Sequence, residues 1–396
     1  MTADPKPLSD VTVLDLTQAW AGPYCTMMLA DAGARVVKVE PPGTGDHVRK
    51  WTVAASKGES PHFIAVNRNK RSLTLNLKDP RGRALLLRLA ARSDVLVENF
   101  RPGVMRRFGL DYDALRAVAP AIVYCSISGF GQTGPYAEHA AYDLVIQAAG
   151  GAMSVTGEEG GRPLKPGIPQ ADVMGGLAAA FTIMAALHGR ARDGRGRRLD
   201  LAMLDMQVSA MGFHVVSYAL SGEVPRPMGA KHPLLAPYEA FRTATDEIAI
   251  GIANDDHWRR LCETLGLEDE PRLSTNAGRV AHREELARRI EEVVRMRPAE
   301  AWTAELTARG IPCARINDVP HLVDDPQIRH RRMIQTLEHP TLGRMLVPGV
   351  PWKLVPTEEE PAPTPPPSLG QHTDAILAEL GCSDAEIAAL RGDGVV

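Results

Sequence analysis

The first half of the chain alternates short β-branched runs with helical stretches, and this alternation limits the fold more than any other feature. VTVLDL (11–16), RVVKVE (35–40), SLTLNL (72–77), DVLVENF (94–100) and AIVYCSIS (121–128) read as strands. Helical stretches lie between them, such as RGRALLLRLAAR (81–92), and Pro23 suits the first turn of a helix running to Ala32. Strands separated by helices predict a parallel sheet with right-handed crossovers, an α/β fold.

A long apolar stretch, ADVMGGLAAAFTIMAALHGRA, occupies 171–191 and is expected to be a buried core helix, too short and too punctuated to cross a membrane. RRLDLAMLDMQVSAMGF then predicts a strand and a further helix. Composition turns Pro- and Gly-rich near Ser221, and EIAIGIA (247–253) opens a new run of strand and helices. With 396 residues, two domains are expected. The large one takes residues 1–220 and 326–396, and the small α/β one takes 225–325. A Pro-rich stretch, 355–370, is expected to cross the large domain as a stiff extended segment before a last helix.

SGFGQTGPY (128–136) contains Gly129-x-Gly131-x-x-Gly134, the spacing of a dinucleotide-binding turn. Such a turn belongs in the first βα unit, followed by a ribose-binding acid about 20 residues on. Here the triplet follows a later strand, and its downstream segment, AAGGAMSV, has no acid. Glu40 is a plausible ribose acid, but the turn before it, 17–22, has one glycine. NAD is therefore set aside, and the glycines are assigned to a tight turn or a close approach to ligand.

Net charge is −3, which gives no basic field for nucleic acid. Five scattered cysteines form no C-x-x-C pair, and no H-E-x-x-H or Cys/His cluster occurs, so neither a disulfide framework nor a metal site is expected. The start, MTADPKPLSD, lacks the layout of a secretory signal. A cytoplasmic protein without membrane or nucleic-acid partners is expected.

VLDLTQAWAGPYCTMMLADAGARVVKVEPPGTGD, NRNKRSLTLNLKDPRGR, VLVENFRPGVMRRFGL and SGFGQTGPY, in that order, resemble the family III CoA-transferases. That group includes formyl-CoA transferase and the carnitine CoA-transferases, and the α-methylacyl-CoA racemases share its fold. The resemblance covers nearly the whole chain. It implies a Rossmann-like large domain built from both chain ends, a smaller inserted domain, and an interlocked homodimer. It also implies transfer of CoA from an acyl-CoA donor to a carboxylic acid acceptor, with the CoA thioester as substrate and no permanently bound cofactor.

Asp172, in GIPQADVMGG, falls on the family's nucleophilic aspartate; read from the residues alone, it is a helix N-cap. Tyr142, in AAYDLVIQ, stands where the racemases carry a histidine base. A neutral tyrosine is a poor base, which disfavours the racemase reading; a packing aromatic is the plain alternative. The resemblance places Gln18, Trp20, Ala21, Asn69, Lys70, Arg71, Asn99, Phe100, Arg101, Arg107, Gly129, Gly131, Tyr142 and Asp143 at the CoA and substrate site. Arg and Lys suit the phosphates of CoA; a solvated basic face is the other reading of NRNKR. Trp20 and Pro41 depart from a glutamine and an arginine of formyl-CoA transferase. His232 and Glu239, in the stretch after Ser221, are expected to be structural.

Overall fold

The computed structural model describes residues 6–268, 270–354 and 362–396. It divides into two compact units, Met1–Ala152 with Pro166–Leu220 and His330–Val396, and Met153–Lys165 with Ser221–Arg329.

The first unit is built on a six-stranded parallel sheet of β1 (Thr12–Asp15), β2 (Arg35–Glu40), β3 (Lys70–Thr74), β4 (Val95–Glu98), β5 (Val123–Ser128) and β6 (Arg197–Ala202). Its order, β3-β2-β1-β4-β5-β6, reverses direction between β1 and β4. In doubly wound sheets, that reversal opens a crevice at the carboxyl ends of the two central strands. Both faces are covered, as an all-parallel sheet requires. Val13 points into one core with Cys25, Leu29 and Ile183, while Leu14 and Leu16 point into the other with Leu86, Ile376 and Leu377. An antiparallel hairpin, Ile334–His339 with Gly343–Pro348, belongs to the same unit.

β3 begins earlier than its sequence pattern predicts, at Lys70 rather than Ser72. Two charged residues obscure its start. The Lys70 ammonium is buried and held by Asp15 at 3.0 Å and Asn67 at 2.9 Å, which lets a lysine enter a core strand. Residues 355–361 of the Pro-rich stretch lie outside the described residues. Beyond them the chain docks on β3: Thr364 N–H donates to Asn69 Oδ1 at 2.7 Å and Gly370 N–H to Ser72 Oγ at 2.9 Å.

Helices α1 (Ala21–Asp31), α2 (Asp143–Ala149) and α3 (Gln170–Asp193) frame the site described below, and α4 (Gly212–Ser221) follows β6. The apolar stretch does form one helix, but not one buried all round. α3 buries Ala171, Gly175, Gly176, Ala179, Ala180, Ile183 and Ala186, and exposes Leu177, Phe181 and Met184. Its 24 residues make it long and apolar enough to cross a membrane by length and composition alone. His188, Arg190 and Arg192 carry it past the apolar run, and its small-residue face packs on α1, as in a core helix. α4 buries none of its residues and exposes Phe213, Val215, Val216, Tyr218 and Leu220.

The second unit holds a three-stranded antiparallel sheet of Tyr238–Arg242, Glu247–Gly251 and Cys313–Arg315. Helices Asp255–Leu265, Arg283–Val294 and Ala299–Ala308 pack on it around Trp258, Ile290 and Trp302. Met153–Lys165, in the range assigned by sequence to the large domain, joins this unit. Gly229 N–H donates to Gly157 O at 2.8 Å, and Lys231 bridges Glu159 at 2.8 Å and Glu284 at 2.6 Å. His232 lies against the Tyr238 ring, and burial raises the Glu239 carboxyl above its ordinary value.

The approach of α3 to α1 depends on Gly176. A Cβ there would lie 2.6 Å from the Ala21 carbonyl oxygen, a backbone atom that cannot step aside. Gly176→Ala is expected to cost roughly 1–3 kcal/mol by overpacking. Urea unfolding checks this; an unchanged midpoint would mean that the helices do not pack this closely.

Candidate active site

At the carboxyl end of β1 the chain turns through residues 17–20 into α1. Ala19 is left-handed, with φ 66°, a conformation that costs a non-glycine residue about 1–3 kcal/mol. Side chains hold it there. Asn99, following β4, accepts from Gln18 N–H at 2.8 Å and donates to Gln18 O at 2.7 Å, so it clamps one residue through the peptides on both its sides, across the switch point. Lys38 donates to Thr17 O at 2.7 Å, and Asp46 accepts from Ala19 N–H at 3.2 Å. α1 then opens at Trp20 with no side chain capping it.

Beneath this turn lies a buried charge network. Asp15 accepts from Thr17 Oγ1, from Thr26 Oγ1 at 2.7 Å and from Lys70 at 3.0 Å. Lys38 pairs with Asp46 at 3.1 Å, both side chains being 0% exposed. Glu40 joins through Arg49 at 2.7 Å and Ser72 at 2.8 Å. Burial pushes the Asp15 carboxyl up, but Lys70, Lys38 and the two hydroxyls pull it down to about 2. Burial presses Lys70 down to about 8 against the pull of Asp15, so the pair stays charged at neutral pH.

Asp172 sits in the first turn of α3, half-buried, and is not its N-cap: Pro169 holds that position without a capping side chain. The capping work falls instead to Asp143. That residue is 8% exposed, and its carboxylate accepts from Ala171 N–H at 2.9 Å and from Gln147 Nε2 at 2.8 Å, and so ties α2 to the start of α3. Asp172 precedes by one helical turn the glycine that touches Ala21, so it lies at the end of α3 that faces the opening of α1.

A family model for the family III CoA-transferases matches residues 8–373. The chain belongs to CoA-transferase family III. It is 38% identical over 395 residues to the human succinyl-CoA:glutarate CoA-transferase, covering 99% of this chain and 90% of that one. The succinyl-CoA:mesaconate CoA-transferase of Haloarcula marismortui is 40% identical over 385 residues, covering 94% and 96%. Among solved structures, a CaiB/BaiF family protein from Brucella suis superposes with a TM-score of 0.84 at 36% identity, covering 95% of this chain and 100% of that one.

Within that family frame, several residues expected to touch CoA have other occupations. Lys70 is in the core, as described above. Asn69 donates to Asp31 at 2.8 Å and accepts from Thr364, and Arg71 forms a two-pronged pair with Glu379 at 2.8 and 3.0 Å. Each side chain of NRNKR has a partner within the chain: Asn67 accepts from Lys70 at 2.9 Å, and Arg68 pairs with Asp31 at 2.6 Å. Arg101 and Arg107 are exposed at the carboxyl end of β4, the edge where doubly wound sheets bind their ligands. Phe100 begins that segment, with its N–H donating to the buried Glu98 at 2.9 Å.

The Gly129–Gly134 loop has φ 88° at Gly131 and 97° at Gly134, which only glycine adopts readily. Its amides do not form a phosphate cradle. Gly131 N–H donates to Ser128 Oγ at 3.0 Å, and Gln132 N–H to the Asp200 carboxylate at 3.1 Å. Gly129 is needed for room, since a Cβ would meet that of Ala141. Tyr142 is 61% exposed, so within this chain it is not a core aromatic.

Sequence reasoning missed an aromatic cluster beside the β1 turn. Trp20 meets His62 at 5.6 Å, His62 meets Trp51 at 5.3 Å, and Trp51 meets His47 at 5.5 Å between ring centroids. His47 Nδ1 lies 3.1 Å from Gln18 Oε1, and Trp20 Nε1 and His47 Nε2 are buried without a partner among the described residues. GDHVRKW carries the signal, an aromatic and a histidine directly after a Gly-rich turn. No group of three or more metal-ligating side chains occurs among the described residues.

The folded Asp15 value lies below its ordinary 3.8, so its contribution is present above about pH 4 and is lost as pH falls toward about 2. Asp15→Asn leaves Lys70 uncompensated and is expected to cost about 3–5 kcal/mol. Urea midpoints measured from pH 7 to 2 should show that loss, together with a flatter acid limb. Equal midpoints for variant and wild type would contradict the network's role.

Proposed function

We propose that this enzyme moves CoA from an acyl-CoA thioester to a carboxylic acid acceptor through covalent intermediates on Asp172. The observation that carries this reading is the placement of Asp172. Its helix start is capped by another residue, Asp143, so the carboxylate is not required as a cap. A helix N-terminus also favours the negative charge that forms as a thioester is attacked.

The Asp172 carboxylate attacks the thioester carbonyl, forming an acyl–aspartyl anhydride and releasing CoA thiolate. The thiolate attacks the aspartyl carbonyl of that anhydride, which gives an aspartyl-CoA thioester and the free donor acid. The acceptor carboxylate attacks this thioester, giving a second anhydride and thiolate again. The thiolate then takes the acceptor acyl group, and Asp172 returns as carboxylate. The energy of the thioester is kept at each step, so no ATP is consumed. The anhydrides need a site that excludes water.

Succinyl-CoA as donor and a small dicarboxylic acid as acceptor follow from the named activities of the human and Haloarcula relatives. Arg107 and Asn99 are assigned to the nucleotide end of CoA together with Arg101, and the 17–20 turn, which leads into α1 against the Asp172 end of α3, to its thioester end. An interlocked homodimer is the assembly we infer. Two helices with exposed apolar side chains support it: α3 with Phe181, 68% exposed, and α4 with Phe213, Val216 and Leu220. Light scattering should give twice 42.8 kDa, and a monomer mass would remove the dimer from this reading.

Asp172→Asn keeps side-chain size and removes the nucleophile. Transfer from succinyl-CoA to glutarate should fall by at least roughly 10³-fold, about 4 kcal/mol of barrier, with folding unchanged. Hydroxylamine trapping after incubation with succinyl-CoA should modify Asp172 in the wild type, as read by peptide mass spectrometry. Transfer retained in the variant would sink the mechanism.

A further inference from the structure

We infer that the fully buried Lys38–Asp46 pair is a positioning device for the reaction, and that its work is to hold the backbone of the 17–20 turn left-handed at Ala19. This rests on the assignment of that turn to the thioester end of the substrate.

The geometry separates this pair from the rest of the charge network. Asp15 and Lys70 bind side chains, the Thr17 N–H and the Pro23 carbonyl. Lys38 and Asp46 bind the backbone on both sides of Gln18: the ammonium takes Thr17 O at 2.7 Å, and the carboxylate takes Ala19 N–H at 3.2 Å. Their mutual contact of 3.1 Å closes the link. One ion pair thus staples the peptide before Gln18 to the peptide after it, while Asn99 holds Gln18 itself from β4. Asp46 is in turn fixed by its own N–H donating to Glu40 at 3.0 Å and by accepting from Val48 N–H at 3.2 Å.

A fold seeking only stability has little use for this arrangement. Burying two charges costs desolvation that their attraction barely returns, and an apolar pair of similar size serves as well or better. The pair also holds a residue with a Cβ in a backbone conformation that favours glycine. A small misplacement of a substrate-positioning group can cost about 10²-fold in rate, and that cost gives such a device its value.

The test separates stapling from stability. Lys38→Met/Asp46→Leu removes both charges together, and is expected to keep its urea midpoint while kcat/KM for acyl-CoA falls roughly 10- to 100-fold. Ala19→Val leaves the pair intact, disfavours the left-handed backbone, and should lose roughly 10-fold. A folded double variant with wild-type kcat/KM overturns the proposal. Should that variant not fold, full activity in Ala19→Val overturns it as well. The wild type alone tests the catalytic reading: if hydroxylamine traps no adduct on Asp172, the nucleophile fails, while the comparison of kcat/KM across these variants stands on any acyl-CoA that is turned over.

Discussion

The site depends on charges placed where water cannot reach them. Asp15, Lys70, Lys38 and Asp46 lie under the carboxyl end of β1, and each is answered by an opposite charge or by backbone. Such a cluster is a poor source of stability, because desolvation consumes most of the Coulombic gain. What it supplies is direction. The ammonium and carboxylate groups have fixed geometry, so the peptide groups bound to them have few alternatives. A turn held this way can keep a strained residue such as Ala19 where an apolar core would let it relax.

Sheet topology explains why this turn is the place to spend charge. The order β3-β2-β1-β4-β5-β6 makes β1 and β4 neighbours whose following segments leave in opposite directions. The loops leaving both strands border one crevice, and the Asn99–Gln18 clamp ties them together there: Gln18 is held on both its peptides by a side chain 81 residues away. α3 approaches the same region from β6's side of the sheet, with Gly176 against Ala21 and Asp143 holding its first turn. The reactive candidate and the turn thus belong to separate elements with separate supports.

Much of this was legible in the residues. β-Branched runs gave the strands because both faces of a parallel sheet are buried, leaving no polar alternation to confuse with a helix. β3 was displaced for the opposite reason: Lys70 and Arg71 look like solvent-facing charges, and only the distant partners Asp15 and Glu379 make them strand residues. Sequence reports that a residue is charged, but its partner lies elsewhere in the chain, so a buried lysine and a phosphate-binding lysine read alike. His47, Trp51 and His62 were overlooked because their contacts join a 3₁₀ turn, a loop and a short helix that no periodicity links. Asp172 was placed one role away from its helix position, since an aspartate near a helix start is an N-cap unless another acid takes the job, and Asp143 is 29 residues earlier.

The Gly129-x-Gly131-x-x-Gly134 spacing shows why a motif has to be tested on its amides. A pyrophosphate cradle works because the N–H groups of its turn are left for the ligand. Here the amides of Gly131 and Gln132 are taken by Ser128 and by Asp200, a carboxylate one strand away. An acid at that spot would also repel a phosphate. The glycines permit the turn, the chain uses the turn to join β5 to α2, and α2 carries Asp143 to the start of α3. The loop thus leads to the carboxylate that caps the first turn of α3.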